Sequence, residues 1–184
     1  MISNAASTVL FPWVAAETEE QRRKEFTPLV ARTVLWTTGL GALALALLSR
    51  WIVLLLYSEA FLPAVGALQA LLVGIVALSA GRVLANDIAG RGFPGLNIYI
   101  GLAAVLTNVV LNLLWIPRYG IVGAAWASTA SYTVSFLGAL FFYCRLSGNR
   151  WTKVVFPQPG DLRRYLVAGR PVWWWVWNKM GVKP

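Results

Sequence analysis

The sequence has no histidine and a single cysteine, Cys144. Catalysis by a Ser-His-Asp or Cys-His arrangement is therefore excluded, and so is a disulfide within the chain. No cluster of cysteines and carboxylates has metal-ligand spacing, so neither a metal nor another cofactor is expected. Charge is scarce as well. Only 12% of the 184 residues are charged, where a soluble domain would have about a quarter. Acids are the scarcest, with seven Asp and Glu in all. A membrane glycosyltransferase or phosphatase would need acids near the membrane surface. Only Glu59 and Asp87 qualify, and they fall on opposite sides of the topology set out below. The run GRGFPG at 90–95 lacks the following Lys-Ser/Thr of a phosphate-binding loop. The chain is not expected to be an enzyme.

What is abundant is apolar. Hydrophobic residues make up 58% of the chain, and there are 10 tryptophans, a residue that concentrates at membrane interfaces. A spanning helix needs about 20 mainly apolar residues. Four stretches meet that length, at about 33–57, 61–81, 96–116 and 121–144. Arg50 is the one charge within them. The expected fold is all-α: a polytopic transmembrane bundle of about four spanning helices, an N-terminal half-helix and an amphipathic C-terminal tail. Residues 1–16 resemble the last half of a spanning helix, because they lack the positive start of a signal peptide and Pro12 interrupts them. Residues 17–25 are expected to form a charged loop. From 148 to 184 the chain is a basic, Trp-rich tail. In it Asp161 is placed to cap a short helix. Arg50 sits late in the first span, where it can snorkel to the headgroups or face the bundle interior.

The formal charge is +9. In so apolar a chain this points to membrane lipids, or to an anionic lipid-linked substrate, and not to nucleic acid. Alternating spans place 14 of the 16 Lys and Arg on one side, leaving Arg50 and Arg118 on the other. The positive-inside bias makes the richer side cytoplasmic. The expected location is the cell (inner or plasma) membrane, multi-pass, with a cytoplasmic C-terminus.

Small residues recur every three or four positions on three spans. They are Gly66, Ala70 and Gly74 on the second, Gly101 and Ala104 on the third, and Gly123, Ala127, Ser131 and Ser135 on the fourth. Such ridges let helices approach closely in lipid. Asn108 and Asn112 continue the third ridge. An unpaired amide in hydrocarbon costs about 1–3 kcal/mol, so this pair must either bond across helices or line a wet cavity. The segment 81–94 is the most polar part of the bundle. Arg82 and Asn86 share a helical face, and Asp87 can pair with Arg91. Arg82, Asn86, Arg91, Asn108 and Asn112 are the candidate substrate-binding residues; no catalytic residue is assigned.

The segment IAGRGFPGLNIYIGLAAVLTNVVLNLLWIPRYGIVGAAWASTASY, at 88–132, resembles the C-terminal region of the polysaccharide flippases in the multidrug/oligosaccharidyl-lipid/polysaccharide exporter superfamily. The matching features are the AGRG turn at 89–92, Asn108 and Asn112, and the outer turn with Ile116, Pro117, Gly120, Gly123 and Ala124. The resemblance extends over about residues 8–146. It implies a C-terminal lobe of a transporter that flips lipid-linked oligosaccharides for cell-surface polysaccharide biosynthesis. It also implies a partner, either an N-terminal lobe or a second chain, without which this portion would not transport. Arg82, following an uncharged span, is expected to matter more for substrate than Arg91, and Arg91→Lys is expected to be tolerated. Two other readings stay open: a lobe of a cation-coupled multidrug exporter, whose coupling acid the four spans lack, and a non-transporting remnant or assembly subunit. The charge asymmetry gives a direct expectation. Cysteines introduced at Arg118 and Lys153 should differ in intact cells, the first labelled by an impermeant reagent and the second protected. Labelling at 153 would reverse the topology.

Overall fold

The computed structural model describes residues 20–158 and Asp161, without the side chains of Gln21 and Arg22. The expectations for residues 1–16 and for the helix after Asp161 fall outside the described residues. Helix α1 spans Glu20–Leu56. A 3-10 turn at Glu59–Phe61 leads into α2, Ala64–Gly90. Helix α3 spans Pro94–Ser147, and a short α4, Trp151–Val155, follows. The described residues contain no strand.

A straight helix of 54 residues would be about 80 Å long, more than twice the ~30 Å hydrocarbon core. Helix α3 does not run straight. Gly120 adopts φ 55° and ψ −134°, a conformation open to glycine and strained for other residues. Pro117 lies three residues earlier and removes a backbone donor. The chain folds back there. A Cβ on Gly123 would sit 2.5 Å from the Trp115 carbonyl oxygen, and one on Gly138 would sit 3.3 Å from Ile100. The two arms, 94–119 and 121–147, are therefore antiparallel neighbours, and three long apolar helices provide four apolar arms.

Register follows from the contacts. Helices α1 and α2 are antiparallel, joined by Thr27 to Asp87 near one end and by Gln69 to Ser49 near the other. The second arm of α3 runs parallel to α2, with Gly74 against Thr129 and Gly81 against Phe136. The first arm reaches α2 near its start, where the Asn97 amide donates to the Ala85 carbonyl at 2.8 Å. Glu20, Arg91 and Ser147 thus share one end of the molecule, and the 57–63 linker and Gly120 share the other.

The described helices run beyond the expected spans. The stretch read as a charged loop is helical from Glu20, and α2 continues through the polar segment to Gly90. Pro28 is tolerated inside α1 for a specific reason. Proline leaves the carbonyl four residues earlier without its helical donor. Here that carbonyl, Lys24 O, accepts a hydrogen bond from Asn149 Nδ2 at 2.9 Å.

The buried core gathers at the Arg91 end and includes Ala31, Leu84, Ile88, Ile100, Leu140 and Tyr143. Toward the opposite end large apolar side chains are exposed: Leu47, Trp51 and Leu55 on α1, and Val105 and Leu113 on α3. Water would not tolerate so much apolar surface, whereas lipid tails are its natural contact. The small ridges behave differently from one another. Ala70 and Gly74 are buried on α2, and Ala127 and Ser131 on α3, and the Thr129 hydroxyl donates to the Ala70 carbonyl at 2.6 Å. Gly101 faces open space.

A Cβ on Gly74 would lie 2.8 Å from the Thr129 Cα, which is backbone and cannot swing aside. Gly74→Ala should lower the thermal midpoint in detergent, by an overpacking cost of about 1–3 kcal/mol. Gly101→Ala meets nothing and should leave the midpoint unchanged. Equal midpoints for the two variants would show that α2 and α3 are not in close contact.

Candidate functional site

Asp87 is 0% exposed, three residues before the end of α2. An ionised carboxylate there needs donors, because burial without them is costly. Thr27 on α1 donates its hydroxyl to Asp87 Oδ2 at 2.6 Å. Arg91, one turn on, donates from Nε to Asp87 Oδ1 and from Nη1 to Glu20 Oε1 at 2.7 Å. The Arg91 guanidinium also lies over the Tyr143 ring of α3, 5.9 Å from its centroid, a distance at which the ring face attracts a cation. Asn149 Nδ2 donates to Tyr143 Oη at 3.0 Å as well as to Lys24 O. Three long helices therefore meet in one polar knot.

Local sequence explains the placement. Asp87 and Arg91 are four apart on a helix and so share a face. Gly92, with φ 89°, takes the left-handed position that ends α2, and Pro94 opens α3, where no amide donor is needed. Burial works against the Arg91 cation, but the hydrogen bonds and charges of Asp87 and Glu20 outweigh it and raise its pKa. Arg91 therefore stays cationic throughout the physiological range.

The expected Asp87–Arg91 pair is present, but it is buried and not on the surface, with only 7% of the Arg91 side chain exposed. Arg91 Nη2 has no hydrogen-bond partner among the described residues. Arg82 is exposed and Asn86 half-buried. Seven residues separate Ile75 from Arg82 and four separate Arg82 from Asn86, so the three share one face of α2. Because α2 runs on to Gly90, Arg82 lies about 12 Å short of the helix end. Asn108 and Asn112 lie elsewhere, on the first arm of α3. Eleven residues beyond Asn97, Asn108 is about 16 Å further along the arm, near the level of Gly74. The Asn112 amide donates to Asn108 Oδ1 at 2.9 Å. The Asn112 Oδ1 atom is buried with no partner among the described residues. The five candidate residues thus separate into Arg82 and Asn86 on one face of α2, a fixed structural cation, Arg91, and a mid-helix amide pair.

Sequence reasoning missed Thr27, Tyr143 and Asn149, which complete the knot. Pro28 was the available signal, since a helical proline demands a donor from elsewhere. It also missed Arg32, which is 3% exposed. Arg32 donates to the Lys153 carbonyl at 2.9 Å and pairs with Asp161, while Trp36 Nε1 donates to the Val155 carbonyl at 3.0 Å. These bonds fasten the segment after α3 against α1.

Removing one partner from a buried ion pair strands the other charge, at a cost of about 3–5 kcal/mol. Asp87→Leu should therefore lower the thermal midpoint in detergent sharply. Thr27→Val should lower it less, by the ~1.5–3 kcal/mol of one hydrogen bond to a charge. Arg50→Gln, at an exposed position, should not change it. If Asp87→Leu matched the unmodified chain, the knot would contribute nothing to helix association.

Among known proteins, no family model matches this chain, and no solved structure matches it. It is similar to an uncharacterized membrane protein of Methanocaldococcus jannaschii, with 27% identity over 145 residues, which is 77% of this chain and 29% of that protein. It is also similar to the capsular polysaccharide biosynthesis protein CapF of Staphylococcus aureus, with 24% identity over 149 residues, 79% of this chain and 38% of CapF. The chain therefore spans about a third of the length of the curated relatives it matches. Its long apolar helices and these distant relatives describe an all-helical, membrane-embedded protein with a likeness to one polysaccharide-biosynthesis protein.

Proposed function

We propose that this chain forms part of a membrane transporter that flips lipid-linked oligosaccharides for cell-surface polysaccharide biosynthesis. It is not an enzyme, and it works together with further helices. The observation that carries the reading is the likeness to CapF, joined to an exposed arginine well inside a membrane helix. Arg82 is exposed well inside α2, beside Asn86, on a chain distantly similar to CapF. A cation at such a depth is expensive against lipid tails. A water-filled path that admits an anionic, sugar-bearing lipid suits an exposed cation there, and a guanidinium can hold a phosphate bidentately.

Asn108 and Asn112 support the need for further helices. They lie at mid-helix on an arm whose other side chains are largely exposed, and Asn112 Oδ1 has no partner among the described residues. An additional helix or a wet cavity against this arm would satisfy it. The multidrug-exporter reading is weaker. Its coupling acid would have to be Asp87, which Thr27 and Arg91 already engage. The excess of Lys and Arg at the Arg91 end makes that end cytoplasmic in this proposal.

The knot changes what is expected of Arg91. Arg91→Lys cannot reproduce the bonds to both Asp87 and Glu20 in one plane, so it should reduce expression and stability instead of being tolerated. Arg82→Lys and Arg82→Gln should leave expression unchanged and lower transport. The measurement is surface polysaccharide, together with lipid-linked precursor retained on the inner leaflet, in cells that depend on this chain. Normal surface polymer and no retained precursor in cells lacking the chain would sink the flippase reading. Normal transport by both Arg82 variants would reduce Arg82 to an interfacial anchor.

A further inference from the structure

The second arm of α3 carries a stripe that changes character along its length. Leu137, Phe141 and Arg145 are spaced by four and share one face. Leu137 is 54% and Phe141 59% exposed, and Arg145 is exposed where the arm ends. Gly148 then takes φ 71°, and its amide caps the Cys144 carbonyl. This tight left-handed turn sends the chain back beside the stripe. Arg150 and Trp151 consequently close the end of the same groove, a cavity of about 530 Å³ in which Leu137, Phe141, Arg145, Arg150 and Trp151 take part. No acidic residue among the described residues lines it. Among the described residues neither Arg145 nor Arg150 has a side-chain hydrogen bond or a carboxylate partner. Other cations of this end, Arg32 and Arg91, are held by carboxylates, whereas these two arginines take no part in ion pairing among the described residues.

We propose that this groove, with Leu137 and Phe141 below and Arg145 and Arg150 above, binds an anionic phospholipid of the leaflet at the Arg91 end. The acyl chain lies along Leu137 and Phe141. The headgroup phosphate sits between the two guanidinium groups, and Trp151 marks the interfacial level. Charge complementarity selects this occupant. A zwitterionic lipid would leave the two positive charges uncompensated, and an apolar helix would bury them unpaired. The end of a helix repels anions weakly through its dipole, and two full positive charges exceed that partial negative one. The site does not depend on the transport reading, since Arg82 and Asn86 are not among its lining residues.

The test uses the full chain in a neutral detergent. Native mass spectrometry and thermal midpoint are followed as phosphatidylglycerol, phosphatidylcholine or inorganic phosphate is added. Phosphatidylglycerol should be retained on the chain and should raise the midpoint, and the other two should do neither. At roughly 1 kcal/mol per basic residue near an anionic surface, Arg145→Gln with Arg150→Gln should weaken phosphatidylglycerol about 30-fold. The double lysine variant keeps the charge and should retain most of the binding, which guards against a fold defect in the glutamine pair. Phe141→Asn should weaken the lipid through the acyl contact. Arg50→Gln with Arg118→Gln, at the opposite end, should have no effect. Equal retention of phosphatidylcholine, equal stabilisation by inorganic phosphate, or full phosphatidylglycerol binding by the double glutamine variant would each overturn the proposal.

Discussion

The fully buried carboxylate of Asp87 ties the three long helices together at the polar end of this fold. In lipid there is no hydrophobic drive to bring helices together, so association depends on close packing and on polar bonds between helices. Asp87 supplies the second of these. It is fully buried, and a charge so placed must collect donors from whatever surrounds it. It takes one from Thr27 on α1 and one from Arg91 on its own helix. Arg91 in turn reaches Glu20 and covers Tyr143. Satisfying Asp87 therefore fixes the position of α1, the end of α2 and the last turns of α3 in one arrangement.

The two prolines within helices show how the backbone answers to the same requirement. At Pro28 the freed carbonyl of Lys24 is satisfied by Asn149, a residue beyond α3, so a local defect becomes a long-range tie. Near Pro117 the response is conformational. With Gly120 at a backbone angle strained for other residues, the 54-residue helix becomes a hairpin whose arms each approach the length of a bilayer crossing. One proline is absorbed by tertiary contact, and the other helps to create the topology.

The two ends consequently differ in kind. At the Arg91 end, polar side chains and a compact apolar core lock the helices. Away from it, contact relies on glycine and alanine seams such as Gly74 against Thr129, with large apolar side chains turned outward. Along α2 the exposed Arg82 and half-buried Asn86 lie before the knot, and on the first arm of α3 the Asn112 Oδ1 atom has no partner among the described residues.

The sequence by itself determined the helical class, the membrane setting and the alternation of the arms. Hydropathy over 20 residues and the distribution of Lys and Arg are properties of the chain, and they do not depend on which helix touches which. The pairing of Asp87 with Arg91 was legible too, because a spacing of four on a helix is local geometry. The tertiary structure alone decided that this pair is buried, that Arg91 is a structural cation and not an open one, and that Asn108 and Asn112 lie far from Arg82. It also decided that the charged stretch from Glu20 is helical. Each of these rests on a partner distant in sequence: Thr27 lies 60 residues from Asp87, and Asn149 lies 125 from Lys24. Periodicity shows which residues share a face of their own helix. The neighbour that face meets, and so whether a charge there is spent on the fold or left open to a ligand, is set only when the helices pack.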